Sequence, residues 1–347
     1  MRTLRGSVSR RSRAGRPGLV DPRGSYEVEQ IHKAAPVALR NCVNIAIVAH
    51  FPREFSVDIP FWRQNMQQTF VPVRRFKKNT SGRDFVVGDL HGCFTRLGRE
   101  LEASQFDRSR DRVFAVGDLI DRGFESPAVL DVVRRYDIQS VRGNHEDSIV
   151  RWRLCGASDG FVRNNGGGWL LDMAGDERSI DAIVAYMAAL PYAIEIETDF
   201  GLVGIVHADV PLRSWSKTVE ALMQEGIDGK IRSKAIWDRS RWNLRGKRSF
   251  GSMRRVAARM LKRFGSGHRG AYGWVEGVAA VIVGHTPSPE PKVSHNVINV
   301  DTGAVYGGSL TLLRLDEIPT LLSQGARATP AFSQIAQYLP ARKSGQL

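Results

Sequence analysis

Three short apolar stretches alternate with two helical segments between residues 84 and 141, and this pattern constrains the fold more than any other feature of the 347-residue chain. The predicted strands are residues 84–87, 113–116 and 138–141, and the predicted helices are residues 95–103 and 126–136. A β-α-β-α-β succession requires parallel strands joined by right-handed crossovers. The sequence therefore predicts an α/β domain.

The second half of the chain is mostly β. A helix predicted at residues 178–190 ends before Pro191, because a proline disfavours helical backbone in the residue before it. The further predicted strands are residues 192–197, 201–207, 279–283, 297–301 and 309–315. We predict an α/β fold of two packed mixed β-sheets, a β-sandwich flanked by helices.

Composition divides the chain into three parts: a basic N-terminal extension (1–80), a main domain (81–320) with a basic insertion at about 243–272, and a C-terminal tail (321–347). Residues 1–25 are rich in Arg, Ser, Gly and Pro, which predicts disorder. Residues 1–65 are open to two interpretations: they form a leader of the protein, or the protein starts at Met66. An organelle transit peptide is a third, which the acids and prolines of the leader disfavour.

The net charge of +14 is unevenly distributed. Residues 1–80 contain 15 Lys/Arg against 5 Asp/Glu, and residues 239–270 contain 11 Lys/Arg and no acid. The rest of the chain is mildly acidic, so the basic pI does not by itself indicate nucleic-acid binding, and no nucleic-acid partner is required.

The sequence also predicts a cytoplasmic location. No apolar run reaches the ~18 residues needed to span a bilayer. The cysteines Cys42, Cys93 and Cys155 are few, odd in number and not paired as metal ligands are. They fit a reducing compartment better than a disulfide framework.

Acidic, amide and imidazole side chains follow several of the predicted strands directly, in residues 88–92, 117–123, 143–146 and 284–286. In open α/β sheets, ligands bind beyond the carboxyl ends of the strands. The candidate metal ligands are Asp89, His91, Asp118, Asn144, His207 and His285. A single Asp after a strand is more often the cap of the next helix, and a single His more often has a structural role. The combination of all six residues favours metal ligands.

Mixed carboxylate and imidazole ligands suit Mn, Fe or Zn better than Ca. Two ions ~3.5–4 Å apart can lower the pKa of a bridging water and hold both the attacking and the leaving oxygen. A carboxylate such as Asp118 can bridge them. The ligand set, together with several arginines, therefore predicts a two-metal site that hydrolyses phosphate esters.

The ordered motifs Asp-x-His, Gly-Asp-x-x-Asp-Arg-Gly, Gly-Asn-His-Glu, His-Ala and Gly-His-Thr resemble those of the calcineurin-like metallophosphoesterases, and within them the phosphoprotein phosphatase branch. Residues 141–146, 165–169, 207–209, 236–239 and 301–305 resemble segments of bacteriophage lambda-type and bacterial serine/threonine protein phosphatases. The resemblance covers about residues 84–315 and implies a metallophosphatase-like fold. It does not cover residues 1–80 or 243–272.

The resemblance implies two divalent metal ions, Mn being the first choice and Fe, Zn or Ni the others. One ion would be held by Asp89, His91 and Asp118. The other would be held by Asp118, Asn144, His207 and His285. The attacking group would be the hydroxide that bridges the two metals, without a covalent phosphoenzyme.

The resemblance also implies roles for residues beside the metals. Arg122, Arg142 and Arg239 would bind the phosphoryl oxygens, which suits the planar, bidentate guanidinium. His145 would protonate the leaving oxygen, oriented by Asp121. We interpret Glu146 as a brace for the following helix, and Trp169 and Trp237 as packing residues.

The resemblance implies a metal-dependent serine/threonine protein phosphatase whose partners are phosphorylated proteins or peptides. The alternative is a symmetrical diadenosine tetraphosphate (dinucleoside polyphosphate) hydrolase, because the same branch includes such enzymes with nearly the same metal and arginine sets. An RNA-binding or scaffold protein is a third hypothesis, and the complete set of six metal ligands argues against it.

Residues 251–264 have the spacing of a basic amphipathic helix. Such a helix can bind an anionic membrane or an acidic partner. It can also act as a lid that draws anionic substrates inward, since it follows Arg239 closely. Packing of its apolar face on its own domain is the interpretation we favour. The sequence leaves the oligomeric state open.

Overall fold

Two mixed β-sheets form the centre of the protein. The structure is a computed structural model, and it describes residues 70–226, 228–242 and 273–324. The six-stranded sheet has the order β1-β5-β6-β7-β9-β8, and the four-stranded sheet has the order β10-β2-β3-β4. The strands are β1 Val73–Phe76, β2 Asp84–Val87, β3 Arg112–Ala115, β4 Gln139–Ser140, β5 Ala193–Thr198, β6 Gly201–Val206, β7 Ala280–Val283, β8 Lys292–Ser294, β9 Val297–Asn299 and β10 Leu312–Arg314.

The strands that lead into the predicted motifs each have at least one parallel neighbour. In the smaller sheet, β2 pairs parallel with β3 and β3 with β4, while β10 runs antiparallel to β2. In the larger sheet, β6 pairs parallel with β7 and β7 with β9. The pair β1–β5 is also parallel, whereas β5–β6 and β8–β9 are antiparallel. The prediction of two mixed sheets is confirmed.

Helices connect the strands and cover the sheets. They are α1 Phe94–Ala103, α2 Val129–Tyr136, α3 Asn144–Cys155, α4 Asp159–Asn164, α5 Gly168–Asp172, α6 Glu177–Ala189, α7 Trp215–Gln224, α8 Lys230–Trp237 and α9 Ile318–Gln324. A 3-10 turn, Ser126–Ala128, precedes α2, so the helix predicted from residue 126 begins with this tighter turn. None of the helices within residues 70–226, 228–242 and 273–324 combines the length and the hydrophobicity that a transmembrane span requires.

The apolar side chains form three layers because successive residues of a strand point to opposite faces. Val86 of β2 packs in a cluster with Ile194 of β5 and Ile282 of β7, so this cluster lies between the two sheets. Phe85 and its neighbours on the other face of the smaller sheet pack against α1, α2, α3 and α6. Val281 and its neighbours pack against α7 and α8. Helices therefore flank a sandwich of two sheets, as predicted.

The edges of the main domain differ from the predicted boundaries. β1 lies within residues 1–80, assigned to a weakly structured extension, yet it pairs with β5 from Val73↔Ala193 onward. Residues from β1 onward thus belong to the larger sheet. At the other end, α9 crosses the boundary at residue 320, and Leu321 is buried between the sheets. The leader before residue 70 and the predicted basic helix at 251–264 lie outside the described residues.

Candidate metal and phosphate site

The six predicted metal ligands lie together at the carboxyl ends of β2, β3, β4, β6 and β7, and none is more than 4% exposed. Asp118, after β3, lies at the centre. Its Oδ2 is 3.5 Å from Nε2 of His91, and its Oδ1 is 3.3 Å from Nε2 of His207. The loops of three strands therefore meet at one carboxylate.

The other predicted ligands complete the same cluster. Oδ1 of Asn144 lies 2.9 Å from Nε2 of His207. The backbone N–H of His285 donates to both carboxylate oxygens of Asp89 at 3.1 Å. The rings of His207 and His285 are 5.0 Å apart. The structure thus brings all six side chains together, across a sequence separation of almost two hundred residues.

Two groups in this cluster have the spacing to hold a cation each, and Asp118 belongs to both. In one group the ligand atoms of Asp118, His207 and His285 lie within 4.8 Å of one another. In the other, those of His91, Asp118 and His145 do. The second group contains His145 where the prediction has Asp89. The shared position of Asp118 agrees with a bridging carboxylate.

Backbone carbonyls bind Nδ1 of two of the imidazoles, so that Nε2 of each ring faces the centre of the cluster. Nδ1 of His91 lies 2.8 Å from the carbonyl oxygen of Ile120, and Nδ1 of His207 lies 2.8 Å from that of Val116. A carbonyl only accepts, so Nδ1 carries a proton in both rings, and Nε2 has the lone pair whenever the ring is neutral. Each Nε2 faces Asp118, which is the arrangement that orients metal-binding histidines.

Burial and mutual charge shift the pKa values of these groups. Burial lowers the pKa of His91 to about 3 and lowers that of His285 well below its ordinary value. Burial, with the charge of Asp301 adding, raises the pKa of Asp89 well above its ordinary value. The pKa of His207 rises to about 9, because Asp118 outweighs burial, and that of Asp118 falls well below its ordinary value despite burial.

The donor set fits divalent cations. Asp89 and Asp118 are two carboxylates, nearly inaccessible to water and close to a third, Asp301. Nε2 of His145 is a buried nitrogen without a hydrogen-bond partner, 3.9 Å from Oδ2 of Asp118. Buried carboxylates are costly unless a cation compensates them. Oxygen and imidazole donors of this kind suit borderline divalent metals.

The backbone is strained at these residues. Among the described residues, eight non-glycine residues have positive φ, and five of them are predicted site residues. Those five are His91, Asp118, Asp121, Arg122 and His285. Such a conformation costs of order 1–3 kcal/mol per residue, so surrounding contacts must impose it, and it is concentrated at functional sites.

Gly143 and Gly284 permit their loops to pass close to the carboxylates of Asp118 and Asp89. A Cβ on Gly143 would lie 2.2 Å from Oδ1 of Asp118, and a Cβ on Gly284 would lie 2.0 Å from Oδ1 of Asp89. Real Cβ atoms essentially never come so near an oxygen. Only a residue without a side chain lets these backbone segments pass beside the two carboxylates.

His145 and Asp121 form the predicted pair. Oδ2 of Asp121 accepts from Nδ1 of His145 at 2.7 Å, and both side chains are buried. The bond fixes the proton on Nδ1 and directs Nε2 toward the Asp118 cluster. The position is suited to proton transfer to a group bound beside Asp118.

Two of the three predicted arginines reach the same cluster. Nη1 of Arg122 donates to Nε2 of His91 at 2.5 Å, and Nε of Arg239 donates to Nε2 of His285 at 3.0 Å. Both guanidinium groups thus lie directly beside imidazoles that are predicted to be metal ligands. Each guanidinium could donate hydrogen bonds to the oxygens of a phosphoryl group bound over the cluster.

The sequence model of the calcineurin-like phosphoesterases matches residues 85–289, which contain all of these loops. The chain belongs to the calcineurin-like phosphoesterase family. It is therefore a metallophosphoesterase, a hydrolase that acts on phosphoester bonds.

Relatives within the family have two kinds of name. The chain is 31% identical over 234 residues to "Serine/threonine-protein phosphatase 1" of Salmonella typhimurium, covering 67% of this chain and 91% of the relative. It is 27% identical over 267 residues to "Bis(5'-nucleosyl)-tetraphosphatase, symmetrical" of Hamiltonella defensa, covering 67% and 94%. A solved serine/threonine phosphatase from Saccharomyces cerevisiae covers 69% of this chain and 73% of its own, with a TM-score of 0.43 and 16% identity.

Arg142, the third arginine predicted to bind phosphoryl oxygens, contacts protein groups instead. Its Nη1 donates to the hydroxyl of Tyr192 at 3.1 Å, its Nη2 donates to the carbonyl of Ala188, and Nη1 lies 3.7 Å from Asp147. The guanidinium also stacks on the rings of Tyr192 and Phe70. In this conformation Arg142 joins α3 to the corner between α6 and β5. Contact between Arg142 and a phosphoryl oxygen stays a prediction.

The structure adds residues that sequence reasoning undervalued. Glu146 braces more than its helix, because it also bonds to the backbone of the Asp118 loop. Trp169 packs against the core, as predicted, and also donates its indole N–H to Asp121. Trp237, the last residue of α8, packs against the apolar cluster around Val281 and also lies edge-on to His285, at 6.0 Å between ring centroids. Their residue types gave no indication of these contacts, which depend on tertiary structure.

Proposed function

We propose that this metallophosphoesterase is a serine/threonine protein phosphatase that binds two divalent metal ions and hydrolyses phosphomonoesters of proteins or peptides. The observation that carries the proposal is the buried cluster of six carboxylate, amide and imidazole side chains around Asp118, with the His145–Asp121 pair beside it. A phosphomonoesterase needs both parts, a site for cations and a donor for the leaving oxygen.

The site residues have separable roles in this proposal. When bound, two divalent ions lower the pKa of a water molecule and neutralise charge on the phosphoryl group. Asp89, His91, Asp118, Asn144, His207 and His285 would hold them. Arg122 and Arg239 bind and orient the phosphoryl oxygens. In the imidazolium form, His145 keeps its Nδ1 proton on Asp121, gives the proton on Nε2 to the leaving alkoxide and becomes neutral.

Because the chain is similar to two kinds of relative, there is a second candidate function, that of a symmetrical dinucleoside tetraphosphate hydrolase. It is favoured by the 27% identity over 94% of the Hamiltonella relative. The protein phosphatase is favoured by the 31% identity over 91% of the Salmonella relative. The loop of residues 165–169, which resembles the protein phosphatases, also contacts Asp121 and Arg122 in the structure. We therefore propose phosphoproteins as the substrates.

A panel of substrates separates the two candidates. The full chain, supplied with Mn²⁺, is assayed with phosphoserine and phosphothreonine peptides, diadenosine tetraphosphate and a cyclic nucleotide, measuring kcat/KM for each. We expect the phosphopeptides to give the highest values. A higher kcat/KM for diadenosine tetraphosphate, with two ADP as products, would establish the second candidate instead. We also propose that Mn²⁺ is the preferred ion, and replacing it by Fe²⁺, Zn²⁺ or Ni²⁺ in the same assay tests this.

We further propose a cytoplasmic location, on the basis of the few cysteines. The chain has three cysteines, an odd number that suits a reducing compartment better than a disulfide framework. Fractionation of cells that express the full chain tests the location. Recovery of the protein with the membranes would contradict it and would favour binding of residues 251–264 to an anionic surface.

A further inference from the structure

A tryptophan side chain holds the carboxylate that orients His145. Nε1 of Trp169, at the start of α5, donates to Oδ1 of Asp121 at 2.9 Å. The other oxygen of the same carboxylate, Oδ2, accepts from Nδ1 of His145 at 2.7 Å. Each oxygen thus has its own donor, and the plane of the carboxylate is fixed from two sides. The three side chains form a chain, Trp169–Asp121–His145.

The loop before α5 holds the neighbouring backbone as well. The carbonyl of Gly166 accepts from the backbone N–H of Arg122 at 3.2 Å. Asp121 and Arg122 both have left-handed backbone conformations, with φ of 73° and 67°. Two successive residues of this kind are unfavourable and persist only when contacts impose them. The loop around Gly166 and Trp169 supplies two such contacts, one to the backbone and one to the carboxylate.

We propose that Trp169 is a positioning residue for proton donation, acting through Asp121 on His145. The inference rests on the proposed function, since it concerns the proton that His145 gives to the leaving oxygen. Without the indole N–H, the carboxylate of Asp121 can rotate about its own axis. Nε2 of His145, 3.9 Å from Asp118, then loses the direction that the pair gives it. A hydrogen-bond partner of this kind typically affects activity by about 10–100-fold.

A packing role makes a different prediction. Trp169 is half-buried and packs at the edge of the core between the smaller sheet and its helices. Loss of packing would affect stability and would affect all substrates alike. Loss of proton positioning would affect only substrates whose leaving group needs a proton. Trp169→Phe separates the two, because the phenyl ring keeps most of the apolar surface and removes the N–H donor.

The chain contains a matched control. Nε1 of Trp152, in α3, donates to Oδ1 of Asp159 at 2.7 Å on the surface. Trp152 also packs at the edge of the same core. Trp152→Phe therefore removes the same kind of bond at a position outside the candidate site. It should leave kcat and KM unchanged for every substrate.

The test compares phenyl phosphate with 4-nitrophenyl phosphate, which carry the same phosphoryl group and differ in the leaving group. With Mn²⁺ present, Trp169→Phe should lower kcat about tenfold for phenyl phosphate and less than about twofold for 4-nitrophenyl phosphate. KM should stay within about twofold for both, since phosphate contacts are kept. Equal losses of kcat on both substrates, or no loss on phenyl phosphate, would overturn the proposal.

A double-mutant cycle with Asp121→Asn asks whether Trp169 acts through Asp121. In the Asp121→Asn background, Trp169→Phe should cause no further change in the ratio of kcat for the two substrates. A further change of the same size as in the wild type would mean that Trp169 acts by another route.

A measurement independent of activity separates failure of this inference from failure of the proposed function. The indole ¹H–¹⁵N resonance of Trp169, assigned by its absence in Trp169→Phe, should move when Asp121 is changed to Asn. The resonance of Trp152 should stay in place. An unmoved Trp169 resonance would contradict the hydrogen bond itself. If the bond is present and no phosphate ester is hydrolysed, the proposed function fails and the positioning role fails with it.

Discussion

Glu146 links the two loops that carry Asp118 and Asn144, and replacing it by Gln tests this brace. Its Oε2 accepts from the backbone N–H of Gly143 at 2.7 Å and of Asp118 at 2.9 Å. Its Oε1 accepts from the N–H of Leu119 at 2.7 Å. The side chain is completely buried. All three partners donate, so the site is built for an acceptor at both oxygens.

The cost of Glu146→Gln follows from these contacts. A glutamine carbonyl at the Oε2 position keeps two bonds, now to a neutral acceptor. The amide nitrogen then faces the N–H of Leu119, which loses a charge-assisted bond of about 1.5–3 kcal/mol. Burial, with the charge on Asp118 adding, raises the pKa of Glu146 to about 7, so removing the charge returns part of this loss. We expect a net loss of about 2 kcal/mol in the free energy of unfolding.

The assay is urea unfolding of the metal-free protein, followed by Mn²⁺ titration of the folded variant. Because Asp118 has a strained backbone, with φ of 50°, loosening its loop should also weaken Mn²⁺ affinity by about tenfold or more. Glu125→Gln is the matched control. Glu125 accepts from the backbone N–H of Thr95 at 2.8 Å at the exposed start of α1, and its loss should cost less than about 1 kcal/mol.

The brace would be refuted if Glu146→Gln and Glu125→Gln lowered the free energy of unfolding equally. It would also be refuted if Glu146→Gln unfolded more easily and bound Mn²⁺ as tightly as the wild type. In that case the carboxylate would serve the helix alone, without positioning Asp118.

Two further predictions concern the proton donor and the stability of the fold. His145→Asn should lower kcat on phenyl phosphate by about 10²-fold or more and on 4-nitrophenyl phosphate far less; equal losses would exclude proton donation. Hydrogen bonds from Arg83 and from the backbone of Asp107 outweigh burial and lower the pKa of Asp111 from 3.8 to about 2. A lowered pKa stabilises the fold above pH 3.8, and this contribution is lost as the pH falls toward 2. Asp111→Asn should therefore destabilise by about 1–2 kcal/mol at pH 7, allowing for solvent near Arg83, and by about half as much at pH 3. A difference from the wild type that stays constant from pH 7 to pH 3 in urea unfolding would contradict this assignment.

Much of the fold could be predicted because its central strands are short, buried apolar runs between turn residues. The strands that contain Val86 and Ile282 are covered on both faces, so successive residues of these strands are apolar. β1 was missed because Val73–Phe76 has two arginines in the middle and prolines nearby. Its pairing with β5, more than a hundred residues later, is a tertiary effect that local pattern does not contain.

The candidate site was predictable in its residue types and less so in its contacts. Asp118 and His207 could be placed together because strand ends of one sandwich meet at the same edge. The orientation of Arg142 could not, since it depends on Tyr192 and on the carbonyl of Ala188. The bond from Trp169 to Asp121 also depends on the path of the loop at residues 165–169.

Binding stoichiometry of Mn²⁺ tests the central claim most directly. We expect titration calorimetry, confirmed by elemental analysis, to give two ions for each wild-type chain. Asp118→Asn should weaken both sites, because Asp118 belongs to both three-residue groups. His285→Asn, which changes a residue of only one group, should weaken one site and leave the other. A wild-type chain that binds a single ion, or an Asp118→Asn variant that keeps two ions at unchanged affinity, would contradict the account.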